Sequence, residues 1–169
     1  ATDELVNWDG VSEGLGVTGS ADLRLPPPRG AVLGGPAQVV GFDNHALVIA
    51  PRSNTSTFGS AGPRVTKIDV RGRAVSTYEY PNLQVALSGF NPLVRWDDRA
   101  YWLTQRALTA GLTLVRFDSE GRILDDPVTG INIPVGSPPS TEFRTDVGLA
   151  MAVVGNELWI AWARSRLVE

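Results

Sequence analysis

Cysteine is absent from this 169-residue chain, which excludes disulfides, thiolate metal sites and a cysteine nucleophile. The redox compartment stays undetermined. Histidine and lysine each occur once, as His45 and Lys67. Any Ser–His–Asp arrangement would have to use His45. No G-x-S-x-G elbow accompanies it, and the stretch around Asp43, Asn44 and His45 reads as an ordinary surface turn. Charge of one sign is also lacking: 15 Lys and Arg stand against 18 Asp and Glu, for a net charge of −3. That balance offers no bulk attraction to nucleic acid or anionic membrane, and neither is expected as a partner. No apolar run approaches the roughly 18 residues of a membrane span. No segment carries a convincing amphipathic helical period, and residues 104–110 suffice only for a single turn. The opening residues, ATDEL, form no secretory signal pattern and lack an initiating Met, so a processed or recombinant N-terminus is expected.

What is present is a globular composition with an internal repeat. Apolar residues make up 43% and charged residues 20%, a balance that folds. Three stretches, FDNHALVIAPR (42–52), WDDRAYWLTQR (96–106) and GNELWIAWAR (155–164), lie in register. Asn44, Asp98 and Asn156 align at offsets of 54 (98 − 44) and 58 (156 − 98), as do Arg52, Arg106 and Arg164. Leu47, Tyr101 and Trp159 also align, and Phe42 falls on Trp96. A second half-repeat matches RVTKIDVRGRAVS (64–76) to LTLVRFDSEGRIL (112–124), pairing Asp69 with Asp118 and Gly72 with Gly121. Together these predict strands near 37–41, 46–50, 64–70 and 73–80, then 92–96, 100–105, 112–117 and 122–125, then 148–154 and 157–163. Asx and Gly residues at the intervening points favour tight hairpins. Residues 4–8 and 16–25 add strands before the stop at PPPRG (26–30).

Both side-chain sets of the second strands are apolar: Leu47 and Ile49 on one face, Val48 and Ala50 on the other. A strand with one wet face would alternate with polar residues, so both faces are expected to be covered. Four strands per period of 40–60 residues resembles the β-propeller repeat superfamily, and FDSEGRILDDP is similar to the D-x-x-G hairpins of bacterial extracellular propellers. No kelch glycine doublet, Gly-His/Trp-Asp pattern or sialidase box is present. The resemblance implies an all-β partial propeller of about 2.5–3 blades. Its parts are N-terminal strands completing a blade (1–36), a blade (37–80), a second blade (81–126), and a loop plus half blade (127–169). A ring would need completion by a second copy or a companion chain; a β-sandwich is the alternative fold.

Long connections at 53–62, 81–91, 106–111 and 126–146 all fall at one rim, where loops on a stiff scaffold bind ligands. The expected function is a non-catalytic binding module, secreted or periplasmic, recognising a glycan, small ligand or protein. The alternatives are a fragment of a polysaccharide hydrolase or lyase and a structural assembly subunit. Candidate ligand-binding residues are Arg52, Asn54, Phe58, Arg106, Phe143, Arg144, Asp146 and Arg164. The repeated arginines suit anions, although a residue recurring in every repeat is more often structural. No catalytic set and no cofactor is expected. Asp118, Glu120, Asp125 and Asp126 are weak Ca²⁺ candidates, because their spacing does not match an EF-hand. GLGVTG (14–19) fits G-x-G-x-x-G but runs into SADLRLPPP, which breaks the helix a nucleotide site requires. Trp96, Trp102, Trp159 and Trp162 are read as core packing between sheets.

Overall fold

A computed structural model describes residues 4–11, 17–25, 31–33, 37–54, 62–83, 91–105, 112–133 and 148–162. Among them the chain is all-β. In order the strands are β1 (Glu4–Val11), β2 (Val17–Leu25), β3 (Ala31–Leu33), β4 (Gln38–Gly41), β5 (His45–Ala50), β6 (Arg52–Asn54) and β7 (Arg64–Asp69). There follow β8 (Ala74–Glu79), β9 (Leu93–Trp96), β10 (Arg99–Gln105), β11 (Leu112–Asp118), β12 (Ile131–Ile133), β13 (Leu149–Val154) and β14 (Glu157–Trp162). Sheet one has the order β4-β5-β7-β8, sheet two β9-β10-β11-β12, and sheet three β13-β14. A β1-β2 hairpin and a β3-β6 pair complete the set, and every pairing is antiparallel. Among the described residues no helix is long and apolar enough to cross a membrane.

The repeat is exact at the level of hydrogen-bond register. His45 pairs with Asp69 where Arg99 pairs with Asp118, and Ile49 pairs with Val65 where Leu103 pairs with Leu114. The strands are joined by tight turns. Asp97 and Asp98 adopt φ of 48° and 55°, the left-handed pair that a two-residue hairpin needs to match strand twist.

The sheets stack face to face. Leu47, Ile49 and Val65 of sheet one pack with Val40 against Ala100, Trp102, Val115 and Phe117 of sheet two. The opposite face of sheet two, Tyr101, Leu103, Leu112 and Leu114, packs against Leu149, Met151, Leu158 and Ile160 of sheet three. The first strands stand side by side, β4 against β9 and β9 against β13. This explains the double apolar pattern: successive residues of β10 point to different neighbouring sheets, so neither set meets water. It also makes three layers, one more than a two-sheet sandwich. No closed barrel or ring forms among the described residues.

Three expectations need correction. Residues 122–125 do not form a strand. Ile123 makes an isolated bridge to Phe117, and β12 pairs with Leu112–Leu114 instead. Asp118 N–H still donates to Arg122 O and Leu124 N–H to Arg116 O, but the Asp125 carboxylate takes the Arg116 N–H at 2.8 Å and its guanidinium at 2.6 Å, which interrupts the ladder; Pro127, which has no N–H, follows. Residues 53 and 54, expected in the connection after β5, belong to β6, which pairs Arg52–Asn54 with β3. The third correction concerns tryptophan. Trp102 is fully buried and Trp96 half-buried, but Trp159 is 59% and Trp162 39% exposed. Trp159 holds the place of Leu47 and Tyr101, each buried beneath the next sheet, and among the described residues no sheet lies beyond β14.

Trp102→Ala should lower unfolding free energy by about 3–5 kcal/mol, because it empties the centre of the interface between sheets one and two. Trp159→Ala should change it by no more than about 0.5 kcal/mol. Urea unfolding of the two variants checks the contrast.

Candidate functional site

The third strands of sheets one and two both end in Asp-x-x-Gly-Arg. Asp69 Oδ1 accepts the N–H groups of Arg71 and Arg73, both at 2.9 Å, while Oδ2 accepts the Arg73 guanidinium at 2.6 and 2.8 Å. Asp118 does the same with Glu120 N–H (3.0 Å), Arg122 N–H (2.8 Å) and Arg122 Nε (2.8 Å). Gly72 and Gly121 close the turns at φ of 74° and 88°. Backbone donors and the guanidinium of Arg73 hold the Asp69 carboxyl below its ordinary range. The repeated motif is thus a turn-building device.

The second of these turns lies across sheet one and is fastened to it. His45 Nε2 donates to the Ser119 carbonyl at 2.6 Å, and Lys67 Nζ meets Glu120 Oε1 at 2.5 Å. The Tyr80 hydroxyl donates to Gly121 O at 2.9 Å and accepts the Ile123 N–H at 2.9 Å. Burial raises the Tyr80 phenol above its ordinary value, which keeps it neutral and able to donate. The approach is close enough that a Cβ on Gly121 would stand 3.0 Å from Val65 Cγ1.

A second fastening joins the hairpin turns. Arg95 bridges Asp43 (2.7 Å) of sheet one and Asp98 (2.8 Å) of sheet two, and its guanidinium lies 5.1 Å over the Phe42 ring. Phe42 in turn stacks on His45 at 4.7 Å. Toward the other end of the same two sheets, Trp102 Nε1 donates to Gln38 Oε1 at 3.1 Å. The short turns of sheets one and two therefore share one end, and β8, β10 and β12 finish at the opposite end.

Of the candidate ligand-binding residues, Arg52 is 3% exposed and lies 3.5 Å from Glu79, which also takes Arg64 at 2.7 Å. Asn54 ends β6. Phe58, Arg106, Phe143, Arg144, Asp146 and Arg164 lie outside the described residues. The four Ca²⁺ candidates are spread among different tasks: Asp118 builds a turn, Glu120 meets Lys67, Asp125 holds Arg116, and Asp126 caps Val128 and Thr129 N–H groups at 2.8 Å. Among the described residues no group of three His, Cys, Asp or Glu converges. In the fingerprint stretch, Val17–Leu25 is a strand where a nucleotide loop would open a helix.

Sequence reasoning missed the inter-sheet residues. His45 is half-buried and bonded to the neighbouring sheet, not a plain surface turn residue. Tyr80, Lys67 and Arg95 carried no signal beyond Lys67 being the single lysine. Their partners are 41 to 53 residues away in sequence, beyond any local pattern.

Tyr80→Phe should cost about 1–3 kcal/mol, since Gly121 O and Ile123 N–H lose their shared partner, and Gly121→Ala should also destabilise because its left-handed φ and the Val65 contact both resist a methyl group. Calorimetry reads both. Asp43, Asp69 and Asp126 are all held below their ordinary value of 3.8. A depressed carboxyl favours the folded state above its unfolded pKa and loses that effect as pH falls through its folded one. Melting temperature should therefore decline below about pH 4, and less steeply in Asp69→Asn. No family model, curated protein or solved structure matches the chain.

Proposed function

We propose that the chain is a non-catalytic binding module of β-propeller type, which recognises a glycan, small ligand or protein at the end from which its long connections leave. The observation that carries this reading is the Arg95 bridge between Asp43 and Asp98. It brings the short turns of two sheets to one end, where their polar groups are spent on each other. At the opposite end β8, β10 and β12 finish, and connecting segments that leave a rigid scaffold are where recognition concentrates. The stacking of sheets by their faces, with first strands adjacent, supports the propeller part of the reading.

Replacing residues 134–147 by a Gly/Ser segment of equal length tests it on a glycan and small-ligand array. Loss of binding with an unchanged melting temperature is the expected result. Binding that survives this replacement yet disappears when the 119–122 turn is substituted overturns the proposal.

A further inference from the structure

Two of the chain's sheets are halves with complementary deficits. Sheet three has a first and a second strand, β13 and β14, in the positions held by β4-β5 and β9-β10. In sheets one and two the second strand then pairs on its other edge with a third, β5 with β7 and β10 with β11. Among the described residues β14 pairs with β13 alone. The β1-β2 hairpin is the converse, an antiparallel pair with no inner strands. Its sequence has the form of a third strand: Val6-Asn7-Trp8-Asp9 matches Val115-Arg116-Phe117-Asp118 and Thr66-Lys67-Ile68-Asp69, although Gly10 follows its Asp directly where Gly121 and Gly72 come three residues later.

From this we infer that the β1-β2 hairpin of a second copy of this chain adds to the free edge of β14, completing sheet three in the order β13-β14-β1-β2. The register is dictated by the repeat. His45↔Asp69 and Arg99↔Asp118 require Glu157↔Asp9, and Ile49↔Val65 and Leu103↔Leu114 require Ala161↔Leu5. In that register residues 6 and 8 fall on the same face as Leu158 and Ile160, the face already packed on sheet two, so the completed sheet continues an existing interface. Exposed edges rich in aromatic residues invite strand addition, and β14 carries no lysine and a single charge, Glu157 at its start. A second copy is the occupant because, among the described residues of one chain, β1 and β2 pair with each other and not with β14, while the hairpin carries the third-strand pattern that the β14 edge lacks. The inference rests on the propeller-type reading for its sheet arrangement and is independent of which ligand the long connections bind.

The chain has no native cysteine, so engineered ones report without background. Directly opposed residues of an antiparallel pair stand about 4.5–5.5 Å apart at Cα, within disulfide range. Leu5→Cys and Ala161→Cys, made in separate chains, mixed and mildly oxidised, should give a covalent dimer of twice 18.1 kDa on a non-reducing gel. Asp9→Cys with Ala161→Cys, about 13 Å out of register, should not. Light scattering on the unaltered chain should give the same doubled mass. A disulfide that forms within one chain carrying both cysteines, with none in the mixture, overturns the second copy but keeps the four-strand repeat. No disulfide in either format, or a monomer at every concentration, overturns strand completion, and leaves the loop-replacement experiment to decide the binding role separately.

Discussion

A β-sheet whose strands are apolar on both faces must be covered twice, and sheet two is such a sheet. Trp102, Val115 and Phe117 bury against sheet one while Leu103, Tyr101 and Leu114 bury against sheet three. At roughly 25 cal/mol per Å² of apolar surface removed from water, neither face tolerates exposure. Everything else follows from satisfying that demand: sheets must stack in series, each must repeat the strand order of the last, and the turns must sit where they do not obstruct the stack. The D-x-x-G-R turns meet the last condition by folding back on their own aspartates.

Stacking alone would leave the angle between sheets free, since apolar contact has no direction. The polar contacts between sheets one and two supply it. Tyr80, His45, Lys67 and Arg95 each reach across to a carbonyl, carboxylate or turn of the other sheet. Because Arg95 draws the two hairpin turns together, that end of sheets one and two is committed to holding the scaffold.

Much of the strand plan was legible in the residues themselves. Hairpins announce themselves through local Asx and Gly chemistry, and offsets such as 54 between Asn44 and Asp98 survive because the hydrogen-bond register survives. Two kinds of feature were not legible. Residues 122–125 look like a strand by pattern, yet a single carboxylate at Asp125 captures the backbone group that a ladder would have used. Trp159 looks like core by composition and by alignment, but burial depends on whether a neighbouring sheet exists, which no window of sequence around residue 159 encodes. The candidate binding residues fared differently again. Arg52 is buried beside Glu79, and Phe58, Arg106, Phe143, Arg144, Asp146 and Arg164 lie outside the described residues.

Among the described residues the two interfaces of sheet two differ in kind, and this has a consequence for motion. Against sheet one the contact combines apolar packing with directional bonds reaching from Tyr80 and His45; against sheet three the packed groups are Tyr101, Leu103, Leu112 and Leu114 on Leu149, Met151, Leu158 and Ile160. Cooperative opening units follow such boundaries. Sheets one and two should therefore open as one unit, with sheet three detaching earlier and at lower free energy. Amide protons of β5 and β10 would then exchange with solvent only on global unfolding, and those of β13 and β14 through a sub-global excursion that leaves the rest of the stack intact.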